Sequence, residues 1–148
     1  MKTIFDPSTR DEVIRRISAL NENQTAQWGK MNLFQMLTHC TLFEEMMQGK
    51  KQYKRAFVGR LFGKMALRQV LKDDAPLRHS TPTLAELTVR EAGGNIHAQK
   101  EKWIARIEAY AHYGDSNLIH VFFGKMSREQ IGQMVYKHID HHLRQFNG

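Results

Sequence analysis

Apolar positions recur at helical spacing in four long stretches of the chain. Val13, Ile14, Ile17 and Leu20 predict a helix from about Ser8 to Leu20, with Ser8, Thr9 or Asp11 available as its cap. A second helix is predicted from about Asn32 to Gln48, where Gly49 stops it. Ile96, Trp103, Ile107 and Tyr110 form one stripe of a third, from Asn95 to His112. The fourth opens at Ser127, with Gln130 placed to complete a capping box, and runs to about Phe146.

The connections are less regular. Asn21 to Lys30 is polar, with Trp28 expected to tuck against the core. Further on, Arg60, Lys64, Arg68 and Lys72 recur every four residues, while Phe57, Val58, Leu61, Phe62 and Met65 share the other side. That pattern predicts a short amphipathic helix interrupted by two glycines, with Phe57, Leu61 and Phe62 turned inward. Asp73 to Gly94 contains Pro76, Pro82 and a glycine pair and reads as irregular, a length of connection that often forms a lid or binding loop. Gly114 to Met126 reads as extended or irregular, and apolar enough to pack on the core. Clear period-two strands, internal repeats and a domain boundary are all missing. The fold expected is all-α, a single four-helix-bundle domain over residues 1–148 with a short extra helix and a long connection between its second and third long helices.

Composition narrows the class. A chain of 148 residues, 41% hydrophobic and 25% charged, can bury one core and is neither collagen-like nor disordered. It contains no apolar run long enough for a membrane span, and MKTIFDPSTRDEV has no apolar signal core, so a cytoplasmic protein is expected. A single cysteine, Cys40, excludes an intramolecular disulfide framework and a cysteine-rich zinc fold. Lys and Arg number 22 against 15 Asp and Glu, a net charge of +7 that makes anionic partners worth testing.

The eight histidines change the picture most. On a wheel of the fourth long helix, Ile131, Val135, His138, His142 and Phe146 share one arc, with Met134 and Gln145 at its edge. Gln133, Lys137, Asp140 and Arg144 lie opposite. His138 and His142 thus sit one turn apart on the stripe that should face the core, where two imidazoles can chelate one ion. Burying them without partners for their ring nitrogens is costly. In the second helix Gln35, Met36, His39, Leu42, Phe43 and Met46 form one arc, with His39 near its middle. If the two helices face each other, His39, His138 and His142 converge, and three neutral imidazoles with an open position resemble a catalytic metal site. The plainer alternative is three core histidines, each hydrogen-bonded to a carbonyl.

QMLTHC in the second helix and YKHIDHHLRQF in the fourth resemble the DinB/YfiT-like superfamily of small metal-binding four-helix bundles. The family pattern is one histidine midway along helix two and an H-x-x-x-H pair late in helix four, positions matched here by His39, His138 and His142. WGKM and HVFFGKMSREQ look like an uncharacterised branch of that superfamily. The resemblance implies a metal-dependent transferase or isomerase acting with a low-molecular-weight thiol; from the site itself, a divalent ion (Zn, Ni, Fe or Mn) would activate water or that thiol cosubstrate for transfer or hydrolysis. His141 or His120 would orient groups or shuttle protons, whereas His79, His97 and His112 read as surface or packing residues. Ferritin-like di-metal chemistry fits poorly, because no Glu-x-x-His pair occurs in either helix. Cys40 diverges from His39 by about 100° on the helix, so the two form no nucleophilic pair, and Cys40 reads as a buried small hydrophobe.

The expected partner is a small-molecule substrate, and a homodimer is plausible for a small bundle rich in Met and Phe. Residues 50–72 hold eight Lys or Arg and no acid. They read first as a solvated face, then as a mouth for an anionic thiol or substrate, and last as a contact for nucleic acid or a membrane surface. The absence of any nucleic-acid motif disfavours nucleic acid. The alternative to an enzyme is a non-catalytic helical binding module that uses this segment for an anionic partner.

Overall fold

The computed structural model describes residues 1–79, 81–114 and 118–148. Asp115 to Asn117 of the connection expected over 114–126 therefore lie outside the described residues. The helices are α1 (Pro7–Ala19), α2 (Leu33–Met47), α3 (Phe57–Val70), α4 (Ile96–Glu108) and α5 (Arg128–Gln145). Strands β1 (Ile119–His120) and β2 (Gly124–Lys125) form a small antiparallel hairpin. The all-α expectation holds; the periodicity did not suggest the hairpin.

Local chemistry explains the helix ends. Asp6, rather than Ser8, Thr9 or Asp11, caps α1, its carboxylate accepting from the Ser8 amide at 3.1 Å. Pro7 sets that start, since its missing N–H is no loss in the first turn. Asn32 with Gln35 and Ser127 with Gln130 close capping boxes on α2 and α5.

Helices α1, α2, α4 and α5 form the bundle. Each of α1 and α2 packs against both α4 and α5. Val13, Ile17, Met36, Leu37, Met47, Trp103, Ile107, Val135, Ile139 and Leu143 fill the seam. Helix α5 is buried on more than its apolar arc. Lys137 and Asp140, on the opposite side of the wheel, are buried as well. Lys137 Nζ donates to the Val70 and Asp73 carbonyls, each at 2.7 Å, and Asp140 pairs with Arg16 at 2.8 Å and Arg144 at 2.7 Å.

Helix α3 corrects one expectation. Phe57, Leu61 and Phe62 do not turn inward; with Val58 and Met65 they are 51–73% exposed. The buried positions are Gly59, Gly63 and Leu67. A Cβ at either glycine would overlap the Phe122 carbonyl. The two glycines that seemed to interrupt the helix are its contact face, and close backbone approach decides which side points in.

Among its described residues, which leave out Ser80, the 73–94 connection is irregular apart from a 3₁₀ turn at Ala85–Leu87, and it is pinned along α2. Asn32 Nδ2 donates to the Ala92 carbonyl at 2.6 Å, and Leu87 is buried. No helix among the described residues is long and apolar enough to cross a membrane.

Candidate metal centre

His39 from the middle of α2 and His138 and His142 from α5 meet inside the bundle. Their exposures are 4%, 8% and 6%. One ligand atom from each lies within 4.8 Å of the others, so the three could hold a metal ion. The convergence predicted from two helix wheels is present.

Their hydrogen bonds fix where the lone pairs point. His39 Nδ1 lies 2.9 Å from the Leu87 carbonyl, which can only accept, so this nitrogen carries the proton and Nε2 carries the lone pair. Gln145 Nε2 donates to the Trp28 carbonyl at 2.7 Å, which turns Gln145 Oε1 toward His142 Nδ1 at 2.9 Å. His142 therefore also protonates its outer nitrogen and leaves Nε2 bare. Metal-bound histidines are typically held this way, the far nitrogen donating to a fixed acceptor. His138 Nε2 stands 3.2 Å from His39 Nε2. Two nitrogens on one tetrahedral ion at ordinary zinc distances would be about 3.3 Å apart. The His138 plane is set by Phe43, stacked on it with centroids 3.6 Å apart at 14°. His138 Nδ1 is buried without a hydrogen-bond partner.

Electrostatics keep the cluster neutral. Burial pushes all three imidazoles below their ordinary range, His142 to about 3, and for His138 the neighbouring imidazoles add to the effect. At neutral pH His39 and His142 are already in the form that binds metal, with no proton to displace from Nε2, whereas His138 donates its Nε2 proton to the bare His39 Nε2 and must shift it to the unpartnered Nδ1 when an ion binds.

Residues 5–148 match the model of a family described as a protein of unknown function, DUF1569. The chain belongs to this family. No curated protein and no solved structure matches it.

The remaining histidines of this DUF1569 chain separate into distinct groups. His120, on β1, is buried, and its Nδ1 accepts from the Phe122 and Phe123 amides, each at 3.1 Å. Its proton is therefore on Nε2, and burial lowers its pKa to about 4. It suits hydrogen-bond donation better than proton abstraction. His141 lies outside the triad on the flank of α5, in edge contact with the His142 ring at 5.0 Å and with Trp28 at 5.5 Å. His79 stacks on Trp28 with centroids 3.7 Å apart, the packing role expected of it, and His97 and His112 are exposed. Cys40 is buried against Met36, Sγ to Sδ 3.7 Å, and burial pushes its thiol well up, so it is no nucleophile.

Two contributors to the candidate site, and one buried carboxyl outside the triad, were not assigned from the helical patterns. Gln145 was visible at the edge of the arc, three residues past His142, a spacing that allows side chains to meet. The Leu87 carbonyl had no signal, since it comes from an irregular segment 48 residues from His39. Glu44 was also missed. It is fully buried on α2, accepts from the Tyr110 hydroxyl at 2.6 Å, and burial raises its carboxyl to about 8.

Proposed function

We propose that this DUF1569 protein is a metal-dependent enzyme of the DinB/YfiT-like type, a transferase or hydrolase acting on a small molecule. His39, His138 and His142 would hold the divalent ion, with Zn, Ni, Fe and Mn all compatible with an imidazole donor set. The observation that carries this reading is the pair of outer hydrogen bonds, His39 Nδ1 to Leu87 and His142 Nδ1 to Gln145, which leave two bare Nε2 atoms beside His138 in a dry seam. Core histidines settled by carbonyls alone would have no reason to bring three ring nitrogens within 4.8 Å.

A divalent ion in such a site acts as a Lewis acid that lowers the pKa of water or of a thiol bound to it. The chain's own groups supply the rest. His120, protonated on Nε2, would donate a hydrogen bond to developing negative charge. His141 is the one histidine touching the triad that is only half-buried, so it would carry protons between the site and solvent. Phe43, stacked on His138, and the buried aliphatic seam would shield that ring from bulk solvent.

Elemental analysis of the protein as isolated tests the reading. About one equivalent of metal is expected, lost in His138→Ala, followed by thiol-transfer activity that depends on it. Metal-free protein that takes up none of Zn, Ni, Fe or Mn would end the proposal.

A further inference from the structure

Helix α3 presents an uncovered apolar face. Phe57, Val58, Leu61, Phe62 and Met65 occupy its outer side, while Gly59, Gly63 and Leu67 hold the inner side to the hairpin. Isolated exposed hydrophobics are common, but five large ones on three successive turns of one helix are not.

The charge around this face is one-signed. Lys50, Lys51, Lys54, Arg60, Lys64, Arg68 and Lys72 are exposed, and the sequence from 46 to 72 holds no Asp or Glu. The eight Lys and Arg of residues 50–72 account for the whole net charge, because the rest of the chain carries 14 Lys and Arg against 15 Asp and Glu. At 100° per residue Arg60 and Lys64 line one edge of the apolar face, Arg68 lies under it in the last turn, and Lys72 follows just past the helix end. Among the described residues Lys51 pairs with Glu45 and Lys72 with Asp73 at 3.8 Å, and Lys64 reaches back to the Lys125 carbonyl, which leaves Lys50, Lys54, Arg60 and Arg68 without an ion pair.

We propose that α3 docks the protein on an anionic phospholipid surface. A helix lying flat in a membrane interface buries large apolar side chains among the acyl chains and sets Lys and Arg against the headgroups. The shape agrees, since the apolar side chains stand out from a convex helix rather than lining a groove that another helix could enter. A second copy fits worse. A two-fold antiparallel pairing of α3 would bring Arg60 and Lys64 against their own counterparts with no acid to neutralise them. The docking is independent of the metal site: it uses none of the histidines and would stand if the chain bound no ion.

Vesicle co-sedimentation of the full chain decides the matter. Binding is expected to phosphatidylglycerol-containing vesicles at low salt, with little to pure phosphatidylcholine. Leu61→Asp should weaken it about tenfold or more, as should Met65→Asp, because both remove apolar insertion. Both side chains are exposed, so the thermal midpoint should stay put and report an intact fold. Arg60→Gln with Lys64→Gln should weaken binding and flatten its salt dependence. No binding to anionic vesicles at low salt overturns the proposal. So does binding that Leu61→Asp leaves unchanged, which would mean charge without insertion. A concentration-dependent dimer abolished by Leu61→Asp, with no vesicle binding, would assign the face to a second copy. Duplex DNA bound in place of vesicles would assign it to nucleic acid.

Discussion

Gln145 locks His142 from the outside of the site: Oε1 accepts from His142 Nδ1 at 2.9 Å while Nε2 is spent on the Trp28 carbonyl at 2.7 Å. The amide thus has one orientation, and it dictates the tautomer of a ring one turn away on the same helix. Gln145→Met should therefore lower metal affinity by about 10–100-fold, as loss of such outer partners does. Gln145→Glu, which keeps an acceptor for Nδ1, should recover much of it. Competition against a zinc chromophore reads both, and equal affinity in all three proteins would remove Gln145 from the site.

His138→Leu separates ligation from packing. Leu removes the orphaned Nδ1 but also takes away the neighbour of His39 Nε2, two effects of opposite sign. Metal-free stability should change by no more than about 1 kcal/mol. In the parent protein, metal at 100 times its Kd should add about 2.7 kcal/mol, and the variant should gain nothing. Chemical denaturation with and without zinc measures this.

Acid should destabilise the metal-free protein through its histidines. His39, His138 and His142 have native pKa values below the unfolded value, with His142 at about 3 and His120 at about 4. The unfolded chain therefore binds more protons as pH falls below about 6.5, and stability drops from there toward pH 3. Urea midpoints that hold steady from pH 7 to pH 4 would contradict the buried neutral cluster.

Glu44 acts in the other direction. Its carboxyl is raised to about 8, so above its unfolded value the native state holds a proton that the unfolded chain has released. Stability should fall as pH rises toward 8, by up to about 1.4 kcal/mol per pH unit for one such group. Above about pH 7.5 the triad imidazoles are neutral in the unfolded chain as well, so the slope from there to about pH 8 isolates Glu44. Glu44→Gln keeps an oxygen for the Tyr110 hydroxyl and should flatten the slope there.

Gly63→Ala should cost stability although alanine favours helix. The new Cβ would overlap the Phe122 carbonyl, so α3 must lift from the hairpin, and about 1–3 kcal/mol is the expected loss in urea unfolding. A stabilised variant would show that α3 is not held by that close approach.

The fold and half of the site were legible along the chain because both depend on periodicity. The Ser127–Gln130 capping box is read from a three-residue spacing, and the apolar stripes of four helices and the inward aim of His39, His138 and His142 follow from about 3.6 residues per turn. Periodicity also misled at α3. It marks a polar and an apolar side and assumes the apolar one is covered, whereas Gly59 and Gly63 allow a backbone approach that no side chain could match. It placed Lys137 and Asp140 opposite the core with no sign that both are buried, and that burial comes from carbonyls and an arginine elsewhere in the chain.

Residue order by itself therefore determined the helical elements and which histidines share a core face, since these are properties of neighbours within a few turns. Tertiary structure alone decided which nitrogen of His39 and His142 is bare, because the Leu87 carbonyl reaches His39 across the fold and the Trp28 carbonyl orients Gln145 against His142. It alone decided, too, that the large apolar side chains of α3 meet solvent. Both outcomes depend on contacts between segments distant in sequence, whose geometry no local repeat encodes.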